Sequence, residues 1–176
     1  MLLNGVPGAG KTSLSMPLAW ELGAPVIGKD AVKESLFGVA GVSLPTGPLG
    51  ALASDTMWRL ARLIEGLVVV DSFWATGRDE DFLHAGLQVS GAARAVEVWC
   101  AVPLEVARSR YLSRPRHPSH DDEDRVATWQ SIVASAREPC SSQPVIVVPT
   151  VGAVDVLGLA RELRELLHSD ASLVRR

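Results

Sequence analysis

Eight residues near the start of the sequence have the types and spacing needed to hold a triphosphate: Gly5-Val6-Pro7-Gly8-Ala9-Gly10-Lys11-Thr12. They fit the pattern G-x-x-x-x-G-K-[ST], in which residues without a Cβ atom let the backbone bend tightly and direct its N–H groups at phosphate oxygens. Lys11 supplies a positive charge for the outer phosphates, and the Thr12 hydroxyl can ligate Mg²⁺. The pattern therefore predicts a nucleotide-binding loop that continues through Ser13 into a helix.

The sequence on both sides of this loop predicts the strand and the helix that such a loop connects. Met1-Leu2-Leu3 is a short apolar run, as expected for a buried strand, and apolar residues recur at helical spacing between Ser13 and Leu22. A helix that opens at Lys11 would direct its N-terminal dipole at the same anion. The alternative is a turn between two core elements that matches the motif by chance. The order strand, loop, helix favours nucleotide binding.

Two aspartates follow other predicted strands. Asp71 ends the apolar run Leu67-Val68-Val69-Val70, which suits a central parallel strand, and we expect it to bind Mg²⁺ directly or through water. Asp30 follows a strand at residues 24–27, and we expect it to be the N-cap of a helix at residues 31–37. Asp30 is also the candidate for the group that takes the proton of an acceptor hydroxyl. Each aspartate has a structural alternative, which is to cap the segment that follows it.

A basic segment broken by prolines follows the fourth predicted strand. It holds four arginines and two histidines: Arg108, Arg110, Arg114, Arg116, His117 and His120. Arginine stabilises the negative charge that phosphoryl transfer spreads over several oxygens, so we expect Arg110 and Arg114 to act on the nucleotide from a lid at about residues 110–122. A solvated helix end is the alternative. The histidines have no third ligand at a suitable spacing, which favours solvated loop residues over a metal site.

The remaining pattern alternates strands with helices, which predicts an α/β fold with a parallel sheet covered on both faces. Predicted strands lie at residues 1–3, 24–27, 67–70, 95–102 and 145–148, and predicted helices at 11–22, 31–37, 52–65, 79–89, from 103, 121–137 and 154–167. Ligands bind such sheets at the carboxyl ends of the strands. The apolar stretch 38–50, rich in glycine and proline, is predicted to be a loop that forms one wall of a pocket. Trp58, Trp74 and Phe37 are candidates for an aromatic pocket or for the core.

Composition limits the classes of protein that need to be considered. The 176 residues, 47% of them hydrophobic and 21% charged, predict one globular domain at residues 1–170 and a polar tail at 171–176. The net charge of −3 argues against a nucleic-acid partner. No leader and no apolar run of membrane-spanning length is present, which argues against a membrane partner. Cys100 and Cys140 lie far apart, and we expect reduced thiols in a cytoplasmic protein.

With these residues in hand, the chain resembles the small P-loop kinases, in particular the chloramphenicol phosphotransferase-like, gluconate kinase-like and shikimate kinase-like proteins. The resemblance rests on five stretches: Leu3-Asn4-Gly5 to Thr12, Asp30, Val68-Val69-Val70-Asp71, Arg110 with Arg114, and Val148-Pro149-Thr150. It implies a five-stranded sheet of order 2-3-1-4-5, an arginine-rich lid over ATP, and a turn at Thr150 that borders the adenine. It also implies that Asp30 is a catalytic base or a substrate anchor.

The phosphate acceptor is not implied, because the segment between Phe37 and Leu52 matches no substrate motif. The first hypothesis is a kinase that uses MgATP to phosphorylate a small hydroxylated molecule, either a metabolite or an antibiotic-like compound. The second is an ATP-binding module that hydrolyses slowly and acts as a switch or partner protein. A toxin-like kinase acting on a nucleotide sugar would change the substrate but not the chemistry. A GTPase would need an Asn-Lys-x-Asp base-recognition motif, and the only asparagine is Asn4.

The basic segment generates a first prediction. If residues 110–122 close over bound nucleotide, limited proteolysis should cut at or near Arg114 in the free chain, and MgATP should protect the site because the closed lid is less accessible. Gel electrophoresis of timed digests with and without MgATP measures this protection. Equal cleavage rates in both conditions would show that the arginines are surface charges without a role in closure.

Overall fold

The computed structural model contains five parallel strands in one sheet, with the order β2-β3-β1-β4-β5 that the resemblance implies. The structure describes residues 1–40, 44–115, 117–120, 124–135 and 138–168. The strands are β1 (Leu2–Asn4), β2 (Val26–Gly28), β3 (Val69–Asp71), β4 (Glu97–Ala101) and β5 (Val145–Pro149). β1 lies at the centre of the sheet and pairs in parallel with β3 on one side and with β4 on the other.

Seven helices accompany the strands in the described part of the chain. They are α1 (Lys11–Leu22), α2 (Lys29–Ala40), α3 (Thr46–Arg62), α4 (Glu80–Ser90), α5 (Leu104–Ser113), α6 (Arg125–Ser135) and α7 (Val156–His168). No helix in those described ranges combines the length and the apolar character needed to cross a membrane.

The helices bury the two faces of the sheet in separate clusters, because successive strand residues point to opposite faces. Leu3 packs on the face that α1 and α7 cover, and Leu2 packs on the opposite face with residues of α3 and α4. Both leucines are essentially inaccessible to solvent. The parallel register places the last residues of the strands at one edge, where Leu3 and Gly28 both pair with Asp71. Side chains that follow these strands are therefore brought to the same edge of the sheet.

Two predictions about the segment after β2 are wrong. Because α2 already begins at Lys29, Asp30 lies in its first turn and is not the N-cap. The predicted loop at residues 38–50 is mostly helical among the described residues, since α2 runs to Ala40 and α3 begins at Thr46. The prolines of this stretch are compatible with a helix start, where a missing N–H costs no hydrogen bond. Residues 41–43, which belong to the predicted pocket wall, lie outside the described residues.

The helix predicted at residues 121–137 is described only between Arg125 and Ser135, and its predicted ends lie outside the described residues. Asp124 precedes it, and the carboxylate Oδ1 atom accepts hydrogen bonds from the N–H groups of Val126 and Ala127. Asp124 therefore caps α6.

The tryptophans belong to the core. Trp58 and Trp74 stack with their ring centroids 5.9 Å apart, and each is only 4% exposed. Phe37 lies apart from them, and its ring makes a T-shaped contact with the His117 ring at a centroid distance of 5.4 Å. The prediction of core packing is thus right for the tryptophans, and a pocket formed by all three aromatic residues is excluded.

The tight packing around Trp58 generates a second prediction. A Cβ atom added at Gly86 of α4 would lie 2.1 Å from the Trp58 ring, so Gly86→Ala should destabilise the fold by about 1–3 kcal/mol. The matched control is Gly50→Ala in α3, where nothing lies within 4 Å of the added atom. That substitution should stabilise the helix by up to about 1 kcal/mol. Urea denaturation of both variants measures the difference, and equal stabilities would contradict the packing described here.

Candidate active site

The loop between β1 and α1 has a conformation and a position that only glycine permits. Gly8 has a φ of +82°, and a Cβ atom there would lie 2.2 Å from the carbonyl oxygen of Ala107 in α5. Gly10 has a φ of +90° and directly precedes α1. Ala9 N–H donates to the carbonyl oxygen of Val6 at 2.9 Å, which closes the turn. The loop therefore forms a narrow cradle at a helix N-terminus, as an anion-binding site requires.

Lys11 is the first residue of α1, and its side chain folds back over this loop. Its Nζ atom donates to the carbonyl oxygen of Gly5 at 2.7 Å and lies 3.4 Å from that of Val6. Burial lowers the pKa of Lys11, while the carboxylates of Asp71 and Asp30 act to raise it. Arg114 acts on the same ammonium group in the opposite sense. The predicted site residues Lys11, Asp71, Asp30 and Arg114 thus lie close enough to influence one another electrostatically.

Asp71 is the last residue of β3 and is partly buried beside Lys11. Burial is the main cause that raises the pKa of Asp71 to about 6, and the Lys11 ammonium counteracts part of that shift. Thr12 is exposed in the first turn of α1. In the described part of the chain, no cluster of three or more histidine, cysteine, aspartate or glutamate side chains could hold a metal ion. A metal held by Thr12 and Asp71 would therefore need oxygens from a bound phosphate or from water.

A cavity of about 440 Å³ adjoins the loop. Four of the residues that line it are predicted nucleotide-binding residues: Gly10, Ser13, Arg110 and Thr150. The rest of the lining consists of Leu14, the turn at residues 151–154, and Val156. The Thr150 hydroxyl is buried and donates to the carbonyl oxygen of Ala9 in the loop. The Arg110 guanidinium lies 3.2 Å from the carbonyl oxygen of Thr150 and 3.4 Å from that of Val151. Arg110 therefore braces this turn and lines the cavity at the same time.

The other residues of the predicted lid have different environments. Arg108 and Arg114 are exposed, while Arg116 lies outside the described residues. The expectation that the two histidines are solvated is wrong. His117 packs against Phe37 of α2, and the Nε2 atom of His120, whose side chain is 9% exposed, lies 3.5 Å from a Glu34 carboxylate oxygen.

Side-chain hydrogen bonds hold the same segment against the start of α3. The Lys33 ammonium donates to the Thr46 hydroxyl at 2.6 Å, and this hydroxyl donates to the Ser119 carbonyl oxygen at 2.8 Å. Ser119 itself is only 2% exposed. Residues 117–120 are therefore packed on α2 and α3, at the side of the site that carries Asp30.

Two features near the loop were missed from the sequence. Asn4 and Glu97 are fully buried and hydrogen-bonded to each other at 2.8 Å. The available signal was a glutamate inside an otherwise apolar strand and the single asparagine directly before Gly5. Phe73, two residues after Asp71, has the Lys11 ammonium 5.9 Å and the Arg78 guanidinium 5.5 Å from its ring centroid.

Comparisons with known proteins agree with this fold. The sequence model of a family described as AAA domain matches residues 1–139. No curated protein matches the chain. Among solved structures, a proposed kinase from Chloroflexus aurantiacus is 25% identical with a TM-score of 0.77, and the alignment covers 94% of this chain and 97% of that one.

Two further structures share the fold at lower identity. The Mycobacterium tuberculosis APS kinase CysC, in complex with AMPPNP and APS, is 19% identical with a TM-score of 0.61 and 96% coverage of both chains. Chaetomium thermophilum Kti12, in complex with ADP-AlF3, is 14% identical with a TM-score of 0.66, and the alignment covers 94% of this chain and 97% of that one. The architecture is therefore that of the P-loop kinase group.

The raised pKa of Asp71 generates a third prediction. The carboxyl group has a pKa of about 6 in the folded chain and about 3.8 when unfolded, so it binds protons more tightly when folded. Stability from this group is therefore present below about pH 4 and is lost as the pH rises through about 6. Asp71→Asn should remove that pH-dependent loss of stability, which amounts to at most about 3 kcal/mol.

The measurement is thermal unfolding in buffer with a chelator, between pH 4.5 and 7.5. The difference in melting temperature, that of Asp71→Asn minus that of the native chain, should increase as the pH rises. The matched control is Asp55→Asn on the exposed side of α3, which makes the same chemical change away from the site. A pH-independent difference for Asp71→Asn would contradict the assigned burial of its charge.

Proposed function

Since the chain belongs to the AAA domain family, and since its fold is that of the P-loop kinases, we propose that it is an ATP-dependent phosphotransferase acting on a hydroxyl group of a small molecule. The observation that carries this proposal is the glycine-only loop with the Lys11 ammonium folded back over it, near enough to Asp71 and Asp30 for their charges to act on it. Arg114 acts on the same ammonium group. Two cations and two carboxylates around a phosphate cradle are what phosphoryl transfer to a hydroxyl needs.

The nucleotide is proposed to bind along the loop from Gly5 to Ser13, with its base in the cavity beside Thr150. Gly8 supports this assignment, because only glycine permits both its φ of +82° and its close approach to Ala107, which give the loop the tight bend of a phosphate cradle. Lys11 would exchange its bonds to the carbonyl oxygens of its own loop for bonds to the outer phosphates. Thr12 and Asp71 are the residues proposed to hold Mg²⁺, which neutralises charge on the phosphates when bound.

The acceptor is proposed to bind on the side of α2, where Asp30 is exposed near Lys11 and Asp71. In the transfer step the acceptor oxygen forms a bond to the γ-phosphorus while the bond from that phosphorus to the bridging oxygen breaks. Asp30 takes the proton of the hydroxyl, and ADP leaves with the bridging oxygen. Arg114 is proposed to stabilise the transferred group, and Arg110 to hold the base-binding turn in place.

A small acceptor is consistent with the packing of residues 117–120 on α2 and α3, the side of the site proposed for the acceptor. The net charge of −3 also disfavours a nucleic acid as the acceptor. The free, buried thiols of Cys100 and Cys140 are consistent with the reducing cytoplasm that we propose as the place of action.

A second candidate function is favoured by the similarity to Kti12, whose solved complex contains ADP-AlF3. In that case the chain would be an ATP-binding module that hydrolyses slowly and serves as a switch. The two functions predict different dependence on an acceptor. A screen of hydroxylated metabolites and antibiotics that measures ADP release should identify at least one compound that raises turnover above the hydrolytic background. The same background with every compound in a broad panel would favour the switch.

A fourth prediction separates the roles of the charged residues. Asp30→Asn keeps the size of the side chain and removes only the base, so phosphoryl transfer should fall by roughly 10²–10⁴ while MgATP affinity is unchanged. Lys11→Ala removes the phosphate-facing charge and should instead weaken MgATP binding. Calorimetry and coupled turnover assays of both variants measure the two effects. Transfer by Asp30→Asn at the native rate would exclude this residue as the base, and native MgATP affinity in Lys11→Ala would exclude the assigned nucleotide site.

A further inference from the structure

A buried polar junction lies directly behind the loop, at the carboxyl end of β1. The Asn4 Oδ1 atom accepts hydrogen bonds from Gly5 N–H at 2.7 Å and from Trp74 N–H at 3.0 Å. The Nδ2 atom donates to the Trp74 carbonyl oxygen at 3.1 Å and to Glu97 at 2.8 Å. One side chain therefore connects the first residue of the phosphate-binding loop, the segment three residues beyond Asp71, and β4.

Glu97 extends the junction to the segment that follows α6. Its Oε1 atom accepts from Cys140 N–H at 3.1 Å and its Oε2 atom from Ser141 N–H at 2.7 Å. The Thr76 hydroxyl lies 3.1 Å from the carbonyl oxygens of both Glu138 and Pro139, so the segment after β3 and the segment after α6 are also joined directly. Glu97 is completely inaccessible to solvent at the start of β4.

Burying a carboxylate is costly unless hydrogen bonds compensate the lost water, and simple packing would be served as well by an apolar residue. We propose that Asn4 and Glu97 are a positioning pair that fixes the segment following Asp71 relative to the phosphate-binding loop, and that holds the segment after α6 against it. This inference rests on the proposed phosphotransferase function, because that function is what makes the position of Asp71 relative to the loop important. Neither side chain reaches the solvent, so both act through the backbone and not on the substrate.

The contacts of the loop explain why the pair should affect the transition state more than nucleotide affinity. The loop is independently held by the turn from Ala9 to Val6, by the Thr150 hydroxyl and by its close approach to Ala107. Asp71 itself is held by its strand pairing with Leu3 and Gly28. Beyond Ser72, whose N–H donates to the Leu3 carbonyl oxygen at 3.3 Å, the segment is joined to the loop through Asn4. Loss of the junction should therefore displace the residues directly after Asp71 and reorient its carboxylate relative to an otherwise intact loop. Misplacement of a reacting group by about 1 Å reduces the rate by up to about 10²-fold.

The test compares the native chain with Glu97→Gln, which keeps the volume but puts a donor against the N–H groups of Ser141 or Cys140. The ratio of affinities for MgADP with aluminium fluoride and for MgADP alone reports transition-state complementarity without an acceptor. We expect this ratio, and kcat with any acceptor found, to fall by on the order of 10–100-fold. The affinity for MgADP and the KM for ATP should change by less than about threefold, since the loop keeps its other contacts.

Three further variants separate a positioning role from a general loss of stability. Leu163→Ala removes a fully buried side chain of α7 in the cluster on the opposite face from Trp74, and it should leave the affinity ratio unchanged despite lower stability. Asn4→Asp places two carboxylates in contact and should be worse than Glu97→Gln. The double variant N4D/E97Q reverses the donor and the acceptor and should recover about tenfold of the ratio relative to the product of the single effects. If Asn4→Asp fails to fold, recovery of folding in the double variant reports the same compensation.

Three results would overturn the positioning role. The first is an unchanged affinity ratio in Glu97→Gln. The second is that Glu97→Gln and Leu163→Ala lower the ratio, and the MgADP affinity, to the same extent. The third is that the native chain binds MgADP with aluminium fluoride no more tightly than MgADP alone. Failure of the proposed function has a different signature. No acceptor would then raise turnover of the native chain, while the affinity ratio and its dependence on Glu97 would still be observed.

Discussion

The close approach of the Gly8 backbone to the carbonyl oxygen of Ala107 is the constraint on which the site depends. The distance of 2.2 Å from an ideal Cβ leaves no room for any side chain, so the first part of α5 and the phosphate-binding loop are in direct backbone contact. The Thr150 hydroxyl supports the next residue of the loop from the turn after β5. The loop is therefore formed by β1 and α1 but held by two elements that come more than ninety residues later.

Charged groups are buried around this loop at a cost that their neighbours reduce only in part. Burial lowers the pKa of Lys11 and raises the pKa of Asp71, although each opposes the shift of the other. A bound polyphosphate with a metal ion would supply the missing charges to both groups. Burial also raises the pKa of Cys100, beneath the same loop, to about 12, which makes this thiol an inert packing residue. The local electrostatics thus favour a ligand that carries both signs of charge.

The proposed acceptor side of the site is built differently from the glycine-rich loop. The loop consists of consecutive residues with one helix behind them, whereas the proposed acceptor side combines the first turn of α2, the segment after β3 and residues 117–120. These parts are held together by individual contacts, such as Glu34 with His120 and Thr46 with Ser119. Proteins that share the architecture can therefore differ in acceptor while they retain the loop. The APS kinase and Kti12 structures, with 19% and 14% identity, share the fold with this chain.

The sequence by itself determined the features that depend on local pattern. The glycine-rich motif, the alternation of strands with helices and the burial of Trp58 follow from residue types at fixed spacing, and the strand order followed from the resemblance that these residues carry. Element boundaries were less accurate, because Pro45 and Pro48 mark a helix start as readily as a loop.

Only the tertiary structure decided which residues meet across long separations. Arg110 braces a turn forty residues away, and Asn4 joins Glu97 from 93 residues away. The packing of His117 and His120 on α2 was likewise invisible in a stretch that is polar and broken by prolines. Such contacts depend on the register of the strands and the packing of the helices between them, so no spacing along the chain encodes them.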